Sequence, residues 1–349
     1  MSKITDFDKN FLVETELKKD NIHFYNAKQS PFHINGLLFE NGHFRRIPEA
    51  VAGTVSPGVE AHHLHTAGGR IRFRTNSDYI AIQAKMSVVN KMPHFPLTGS
   101  AGFDLFGGTE KEQYIRAFVP PLQMTDGYES LIELGSNEMR NITIHFPLYS
   151  SVEELYIGLN QDAEILPPLP YAIEKPVVYY GSSITQGGCA SRPGNAYPAI
   201  LTRRFGCDHI NLGFSGNAKG EDTIAAYISK LEMSAFVYDY DHNAPNLEHL
   251  QQTHERMFQT IRGAQPQLPI LILSRPKYTL TAQEEDRRSL IRATYENAVA
   301  QGDNNVYFLD GKQLMALAED NGTVDDAHPN DWGFMSMAAA VESVLKNIL

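Results

Sequence analysis

The second half of the chain alternates short, uninterrupted apolar runs with longer helical stretches, and this alternation limits its fold more than any other feature. The apolar runs cover residues 177–180, 235–238, 270–273 and 306–309. The helical stretches cover residues 223–231, 247–261, 282–300 and about 332 to the carboxy terminus. An apolar run without a polar face predicts a strand that is buried on both sides. Strands and helices in this order predict a parallel sheet with helices on both faces.

The first half predicts a different β architecture. Short runs rich in β-branched and aromatic residues cover residues 71–74, 79–84, 141–146 and 155–159, and several alternate with period two. Pairs such as Asn35-Gly36 and Asn41-Gly42 favour tight turns between strands. This spacing predicts a β-sandwich, in a jelly-roll-like arrangement. With the proline-rich segment 166–170 as the linker, the 349 residues divide into predicted domains at 1–170 and 171–349.

Composition excludes several classes of partner. The net charge of −11 and the lack of a basic cluster argue against nucleic acid. No segment approaches the ~20 uninterrupted apolar residues of a membrane helix, so no membrane span is expected. The first residues lack the apolar stretch of a secretory signal, and two cysteines fit a reducing compartment, so a cytoplasmic location is expected. The sequence leaves the oligomeric state open.

The first apolar run leads directly into the small-residue segment 181–188, Gly-Ser-Ser-Ile-Thr-Gln-Gly-Gly. Sites in open α/β sheets form at the carboxyl ends of the strands, where a tight turn can expose a serine hydroxyl. A hydroxyl is a weak nucleophile until a neighbouring base takes its proton. By itself, the segment fits a phosphate-binding turn or a flexible loop as well as a nucleophile.

A candidate base lies near the other end of the chain. Asp325 and His328 precede the last predicted helix, so one local turn can bring the carboxylate to Nδ1 of the imidazole. That contact would fix the tautomer and leave Nε2 as the general base. Asp and His are also common in loops before helices, and their spacing alone does not decide. Gly216 ends the segment 211–216, which follows the second strand of the second half, and Asn243 follows the third strand. The backbone N–H of Gly216 and the side-chain amide of Asn243 can therefore join the N–H of Ser183 in an oxyanion hole.

These residues occur in the order typical of the SGNH (GDSL-like) hydrolase superfamily, which residues 175–349 resemble. The start Gly-Ser-Ser-Ile-Thr is similar to the family's Gly-Asp-Ser-Ile-Thr block. The resemblance implies a flavodoxin-like three-layer α/β/α catalytic domain that needs no metal or cofactor. It further implies the following site residues: a catalytic triad of Ser183, His328 and Asp325, and an oxyanion hole formed by Ser183, Gly216 and Asn243.

The sequence departs from the family's pattern at two positions, and a segment of the first half resembles a second motif. Ser182 stands where the family usually has aspartate, and Asp241 stands where the third block usually has glycine. Residues 102–106, Gly-Phe-Asp-Leu-Phe, resemble the GxDLY signature of a subgroup, with Phe106 in place of tyrosine. This second resemblance implies that a jelly-roll-like domain packs on the hydrolase domain.

The two resemblances imply an esterase or an acyltransferase. The expected function is hydrolysis of a small acyl ester, such as an O-acetyl group on a sugar, through an acyl-enzyme. An acyltransferase with the same triad is the first alternative, and a carbohydrate-binding protein without catalysis is the second. The expected partner is a small-molecule or carbohydrate ester.

Three further features have a functional and a structural interpretation. The segment 62–65 contains three histidines and invites a metal site, with His63 and His65 on one strand face. A surface or interface group is favoured, because no further ligand cluster lies nearby in the sequence. Cys189 is near the candidate nucleophile, but an inert thiol is favoured. Asp104 is expected either at the domain junction or in a turn of the sandwich, and the turn is favoured.

Overall fold

Two halves of different sheet type follow each other in the computed structural model, which describes residues 15–349. The strands are β1 (Ile22–Asn26), β2 (His33–Asn35), β3 (Leu38–Glu40), β4 (His43–Arg45), β5 (Arg70–Thr75), β6 (Tyr79–Lys85), β7 (Phe103–Gly108), β8 (Gln113–Phe118), β9 (Gly127–Glu133), β10 (Arg140–His145), β11 (Glu154–Asn160), β12 (Ile165–Leu166), β13 (Ile173–Gly181), β14 (Cys207–Gly213), β15 (Ala235–Asp239), β16 (Ile270–Leu273) and β17 (Val306–Leu309). The α-helices are α1 (Glu49–Val55), α2 (Pro57–His62), α3 (Leu97–Ser100), α4 (Ser183–Gln186), α5 (Tyr197–Phe205), α6 (Asp222–Ile228), α7 (Leu247–Ala264), α8 (Ala282–Ala300), α9 (Gly311–Leu314) and α10 (Asp331–Leu345).

The first half is a sandwich of two antiparallel sheets. One sheet has the order β1-β11-β6-β9, and the other has the order β12-β5-β10-β7-β8 with β2 paired to β5. Alternate residues point into the space between the sheets, so Ile71 and Phe73 of β5 share a core with Ile80 and Ile82 of β6. The predicted sandwich is confirmed.

The second half is a five-stranded parallel sheet in the order β14-β13-β15-β16-β17. The three inner strands are buried on both faces, as their apolar runs predict: β13 from Val177 onward, β15 and β16. Val178 and Tyr180 of β13 lie in a core with α6, α7 and α8, whereas Val177 and Tyr179 lie in a second core with α5 and α10. The chain passes from β13 to β14 on one side and then to β15 on the other. Open sheets bind ligands where the strand order reverses in this way.

Two short helices join the halves and were not predicted. Ala52 of α1 and Val59 of α2 share a core with α6 and α7 of the second half. Helix α2 begins where Ser56 Oγ accepts the N–H of Val59 at 3.2 Å, with Pro57 in its first turn. Because α2 ends at His62, the segment 62–65 is not a strand, and the prediction that His63 and His65 share a strand face is wrong.

The boundary between residues 170 and 171 stays a prediction. In the part of the chain that the structure describes, no helix is both long and apolar enough to cross a membrane.

Candidate active site

The candidate nucleophile lies at the carboxyl end of β13, in residues 181–188, which we call the nucleophile turn. Gly181 is required there because a Cβ atom would lie 1.9 Å from the carbonyl oxygen of Asp239 on β15. Ser182 then caps α4, since its Oγ accepts the N–H two residues later at 3.1 Å. The serine in place of the usual aspartate therefore has a local structural role. Ser183 is the first residue of α4.

Ser183, His328 and Asp325 form a continuous hydrogen-bonded chain. Oγ of Ser183 lies 2.9 Å from Nε2 of His328, and Nδ1 of His328 lies 2.8 Å from Oδ2 of Asp325. Ser183 is 7% exposed, so its hydroxyl is largely shielded from water. In this geometry the imidazole can accept the hydroxyl proton while the carboxylate stabilises the resulting imidazolium. The structure thus brings together the three residues that the sequence predicts as a triad.

Asp325 and His328 belong to residues 323–330, which we call the acid–base loop. Asp325 Oδ1 accepts the backbone N–H groups of His328 at 2.8 Å and of Ala327 at 3.3 Å. The N–H of Val324 donates to the His328 carbonyl at 2.8 Å and closes the loop on itself. Partial burial would raise the pKa of Asp325, but the hydrogen bonds from the backbone and ring of His328 outweigh it and hold this pKa below its ordinary value. Asp325 is therefore a carboxylate at neutral pH.

The two predicted oxyanion residues lie at the same edge of the sheet as Ser183. Gly181 at the end of β13 is in register with Gly213 on one side and with Asp239 on the other. Gly216 follows the first of these neighbours by three residues, and Asn243 follows the second by four. The carboxyl ends of three adjacent strands therefore deliver the candidate nucleophile and both candidate donors.

Asn243 also connects its own loop to the loop that carries Gly216. Its Nδ2 donates one hydrogen to the carbonyl of Phe214 at 2.8 Å, and an amide nitrogen has a second hydrogen to donate. Gly216, two residues beyond Phe214, is exposed and has a positive φ of 70°. A side chain there would strain the backbone, so glycine suits this position.

Asp241, the second departure from the family pattern, is buried and anchors the loop that carries Asn243. Its Oδ1 accepts the Nε–H of Arg287 at 2.6 Å, and its Oδ2 lies 3.4 Å from Nε of Arg275. Arg287 also donates to the carbonyl of Ala244 at 2.9 Å. A carboxylate and two guanidinium groups thus hold this turn, which a glycine could not do.

Gln186 is a site residue that the sequence analysis missed. It is fully buried in α4 and makes hydrogen bonds from both ends of its amide. Nε2 donates to the Leu148 carbonyl at 3.0 Å and lies 3.1 Å from Nδ1 of His65, while Oε1 accepts the N–H of Ser215 at 3.0 Å. Gln186 therefore links the sandwich, the nucleophile turn and the Gly216 loop. Its position three residues after Ser183, within the segment 181–188, was the feature of the sequence that could have identified it.

Tyr149 is a second residue of the first half that reaches the candidate nucleophile. Its hydroxyl donates to the backbone carbonyl of Ser183 at 3.3 Å, and the ring is 6% exposed. Phe95 packs against it edge to face, with ring centroids 5.1 Å apart. Burial raises the pKa of Tyr149, so the hydroxyl remains a donor at any physiological pH.

Two buried titratable groups lie behind the site. Burial and the neighbouring Asp241 raise the pKa of Asp239 to about 7. Thr185 Oγ lies 3.4 Å from Oδ2 of Asp239, directly under the nucleophile turn. Burial, together with Arg275, lowers the pKa of His242 to about 3, so this imidazole is neutral.

The histidines of residues 62–65 lie at the interface between the halves. His65 is buried against Gln186, and His62 contacts Asn217 at 3.1 Å. Of the described residues, none from this segment belongs to a group with metal-ligand spacing. Burial, with Asp325 nearby, raises the pKa of Cys189 to about 12, so the metal-free thiol is protonated at neutral pH. The inert-thiol interpretation stays a prediction.

Asp104 forms the junction and not a turn, so the favoured interpretation of this residue is wrong. It lies in β7, fully buried, with Oδ1 2.8 Å from Nδ1 of His145. Oδ2 accepts from Arg192 at 3.1 Å and from the Gly194 N–H at 2.9 Å, both in the second half. The carboxylate therefore connects a strand of the sandwich to the segment that follows the nucleophile turn.

Comparisons with known proteins support the family and the fold of both halves. Residues 174–346 match the GDSL-like lipase/acylhydrolase family, and residues 22–165 match GxDLY, the N-terminus of SGNH-hydrolase-type esterases. A protein from Bacteroides ovatus described as a GDSL-like lipase is 29% identical, with 94% of this chain and 98% of that chain covered and a TM-score of 0.84.

Two other solved structures share the fold at lower identity. A salicylyl-acyltransferase from a tetracycline biosynthetic pathway is 20% identical, covers 95% of this chain and 98% of its own, and has a TM-score of 0.74. A family two carbohydrate esterase from Cellvibrio japonicus is 12% identical, covers 94% and 98%, and has a TM-score of 0.61. A comparison with curated protein sequences gave no match.

Proposed function

Because the chain belongs to the GDSL-like lipase/acylhydrolase family, whose members hydrolyse esters, we propose that it cleaves small acyl esters through Ser183, His328 and Asp325. The observation that carries the proposal is the hydrogen-bonded chain from the Ser183 hydroxyl through both ring nitrogens of His328 to Asp325. A structural role alone would not require a buried hydroxyl to face a free imidazole nitrogen.

The proposed reaction passes through an acyl-enzyme. Nε2 of His328 takes the proton as Ser183 Oγ attacks the ester carbonyl, and Asp325 stabilises the imidazolium. The N–H groups of Ser183 and Gly216 and the amide of Asn243 stabilise the oxyanion. The imidazolium then protonates the departing alcohol, and a water activated by the same nitrogen releases the acid and restores the serine.

We propose an acetyl ester on a carbohydrate as the substrate. The acid–base loop is open to solvent, with side-chain exposures of 26% for His328 and 38% for Asp325, so a bulky alcohol portion can remain outside. Trp332, four residues after His328, is 54% exposed and offers a ring face to a sugar. The fold shared with a carbohydrate esterase is in keeping with this choice.

The first test is hydrolysis of p-nitrophenyl acetate and butyrate by the wild type, Ser183→Ala and Ser182→Ala. Loss of the nucleophile should reduce kcat by about 10³-fold or more, with circular dichroism unchanged. Ser182→Ala is the matched control, because it removes a neighbouring buried hydroxyl that only caps α4. It should cost about 1 kcal/mol of stability and keep the nucleophile.

Equal rates for wild type and Ser183→Ala would contradict the assignment, and so would a collapse of activity in Ser182→Ala alone. Acetate release from acetylated oligosaccharides then tests the substrate. Adding alcohol acceptors to the same assay tests the acyltransferase alternative, because transfer would yield a new ester at the expense of free acid. Sugar binding that Ser183→Ala leaves unchanged, without turnover in either protein, would favour the non-catalytic alternative.

A further inference from the structure

Three side chains with soft-metal chemistry converge beside the candidate triad. The ligand atoms of His94, Cys189 and His328 all lie within 4.8 Å of one another. We propose that these residues bind Zn²⁺ and that the bound ion switches off the esterase proposed above.

The donor set selects the class of metal. Two imidazole nitrogens and a thiolate suit Zn²⁺ and similar soft ions, whereas Mg²⁺ and Ca²⁺ require oxygen ligands. Tetrahedral zinc, with Zn–N of about 2.0–2.1 Å and Zn–S of about 2.3 Å, places its ligand atoms roughly 3.4 Å apart. The observed ligand atoms, which lie within 4.8 Å of one another, must therefore approach by up to about 1.4 Å. His94 can supply this movement by rotating, because its side chain is exposed. Water fills the fourth position.

Separate segments hold the ligands close together. His94 lies in a tight turn closed by a hydrogen bond from the N–H of Phe95 to the carbonyl of Met92 at 3.2 Å. Phe95 is buried and fixes this turn to the site, whereas the imidazole of His94 projects to the surface. Its ring centroid lies 5.9 Å from that of His328. The sandwich thus contributes one ligand to a site that the second half cannot complete alone.

Cys189 follows the nucleophile turn directly. Its backbone has a positive φ of 73°, a conformation that a residue with a side chain rarely adopts. The preceding Gly188 N–H donates to the carbonyl of Ser183 at 2.8 Å, so the thiol is held at a fixed place relative to the nucleophile. A zinc ion would displace the thiol proton, giving a Zn–S bond and one released proton for each ion bound.

Occupancy and catalysis exclude each other because both nitrogens of His328 already serve the triad. Nε2 faces Ser183 and Nδ1 faces Asp325. Coordination through Nε2 would occupy the lone pair that accepts the serine proton. Coordination through Nδ1 would displace Asp325 and change the tautomer of the ring. Zinc binding therefore removes the general base without unfolding the protein.

The binding test uses Co²⁺ as a spectroscopic substitute for zinc, with the full chain free of any affinity tag. Wild type and Cys207→Ser should both develop a thiolate-to-cobalt charge-transfer band in the near ultraviolet. Cys189→Ser should not develop it. Cys207 is the matched control, since it is the other buried cysteine and belongs to β14. A band that is absent from the wild type, or that persists in Cys189→Ser, would overturn the proposal.

The activity test compares zinc inhibition with each variant's own rate in chelator. Wild type should be inhibited and then recover with excess chelator. His94→Ala should need at least about tenfold more zinc, since it removes one of three ligands and the loss of even an outer-shell partner typically costs about 10- to 100-fold in metal affinity. The same zinc sensitivity in both proteins would overturn the assignment of His94.

The two readouts separate this proposal from the esterase. A cobalt band in a protein that hydrolyses no ester would retain the metal site and refute the proposed function. Hydrolysis that depends on Ser183, without a cobalt band, would retain the esterase and refute the metal site.

Discussion

The nucleophile turn and the acid–base loop supply the same candidate triad but are stabilised in different ways. The nucleophile turn is buried and exchanges hydrogen bonds with the first half: Tyr149 donates to the carbonyl of Ser183, and the Gln186 amide donates to His65. The acid–base loop is partly exposed, and the Asp325 carboxylate accepts its hydrogen bonds from Ala327 and His328 of the same loop. One arm of the triad thus depends on tertiary packing, and the other depends on local geometry.

This difference between the nucleophile turn and the acid–base loop indicates that the first half of the chain supports the nucleophile turn. The Gln186 amide reaches both the sandwich and the N–H of Ser215, next to the candidate oxyanion glycine. A defect in the sandwich should therefore disturb the nucleophile and the oxyanion donors before it disturbs His328. A defect in the acid–base loop should reduce catalysis and leave the stability of the protein almost unchanged.

The largest effect is expected for Asp325→Asn. The amide has the shape of the carboxylate but carries no charge to stabilise the imidazolium, and it favours the wrong tautomer of His328. We expect kcat to fall by roughly 10³- to 10⁴-fold. The melting temperature should hardly change, because the loop is exposed.

Asp326→Asn is the matched control for this prediction. Asp326 is the next residue, 78% exposed at its side chain, and its carboxylate pairs with Lys277 at 2.8 Å. Its positive φ of 68° is one that asparagine tolerates. Activity should stay near the wild-type value. Unfolding of Asp325→Asn at a much lower temperature would refute the view that the loop is only locally held.

A smaller effect, on stability, is expected for Asp239→Asn beneath the nucleophile turn. The pKa of Asp239 is raised to about 7 in the folded protein from an ordinary value of 3.8, because the carboxyl is buried beside Asp241. Between these two values the folded protein keeps a proton that the unfolded chain has released. The free energy of unfolding should therefore fall as pH rises from about 4 to 7, by up to about 4 kcal/mol.

Asparagine carries no titrating proton, so Asp239→Asn should lose this slope and be the more stable protein near pH 7. Chemical unfolding at several pH values measures how the free energy of unfolding of each protein depends on pH. Asp325→Asn is the control, because the pKa of Asp325 is lowered below its ordinary value of 3.8 and its titration therefore adds no slope between pH 4 and 7. An unchanged slope in Asp239→Asn would assign the pH dependence to other groups.

Local patterns in the sequence were sufficient for the architecture of the second half. Strands β16 and β17 and helix α8 have the predicted bounds. The strands are predictable because burial on both faces leaves no polar residue in the run. Helix α8 begins at a capping box in which Thr281 and Glu284 each bond the backbone of the other. The order of Ser, Gly, Asn and Asp-x-x-His was visible because the first three each follow a strand and the last precedes the final helix.

The contacts between the halves were not predictable in this way. His65 and Gln186 are 121 residues apart in sequence, and no local period relates them. Aspartate is a residue type that is common in turns, and only the contacts of Asp104 with Arg192 and Gly194 show that it lies at the junction. Buried polar groups that satisfy one another across a junction leave little trace in hydrophobic patterns.

The smallest effect tests whether the sandwich supports Ser183 directly. Tyr149→Phe removes one hydrogen bond, from the ring hydroxyl to the Ser183 carbonyl. Such a bond contributes about 0.5–1.5 kcal/mol, so kcat/KM should fall roughly 2- to 10-fold. Tyr128→Phe is the matched control: its buried hydroxyl donates to the carbonyl of Phe118 at 2.7 Å, within the sandwich. Both variants should lose stability, but only Tyr149→Phe should lose activity. If both variants keep the wild-type kcat/KM, the nucleophile turn positions Ser183 without help from the sandwich. The nucleophile turn and the acid–base loop would then differ only in how deeply they are buried.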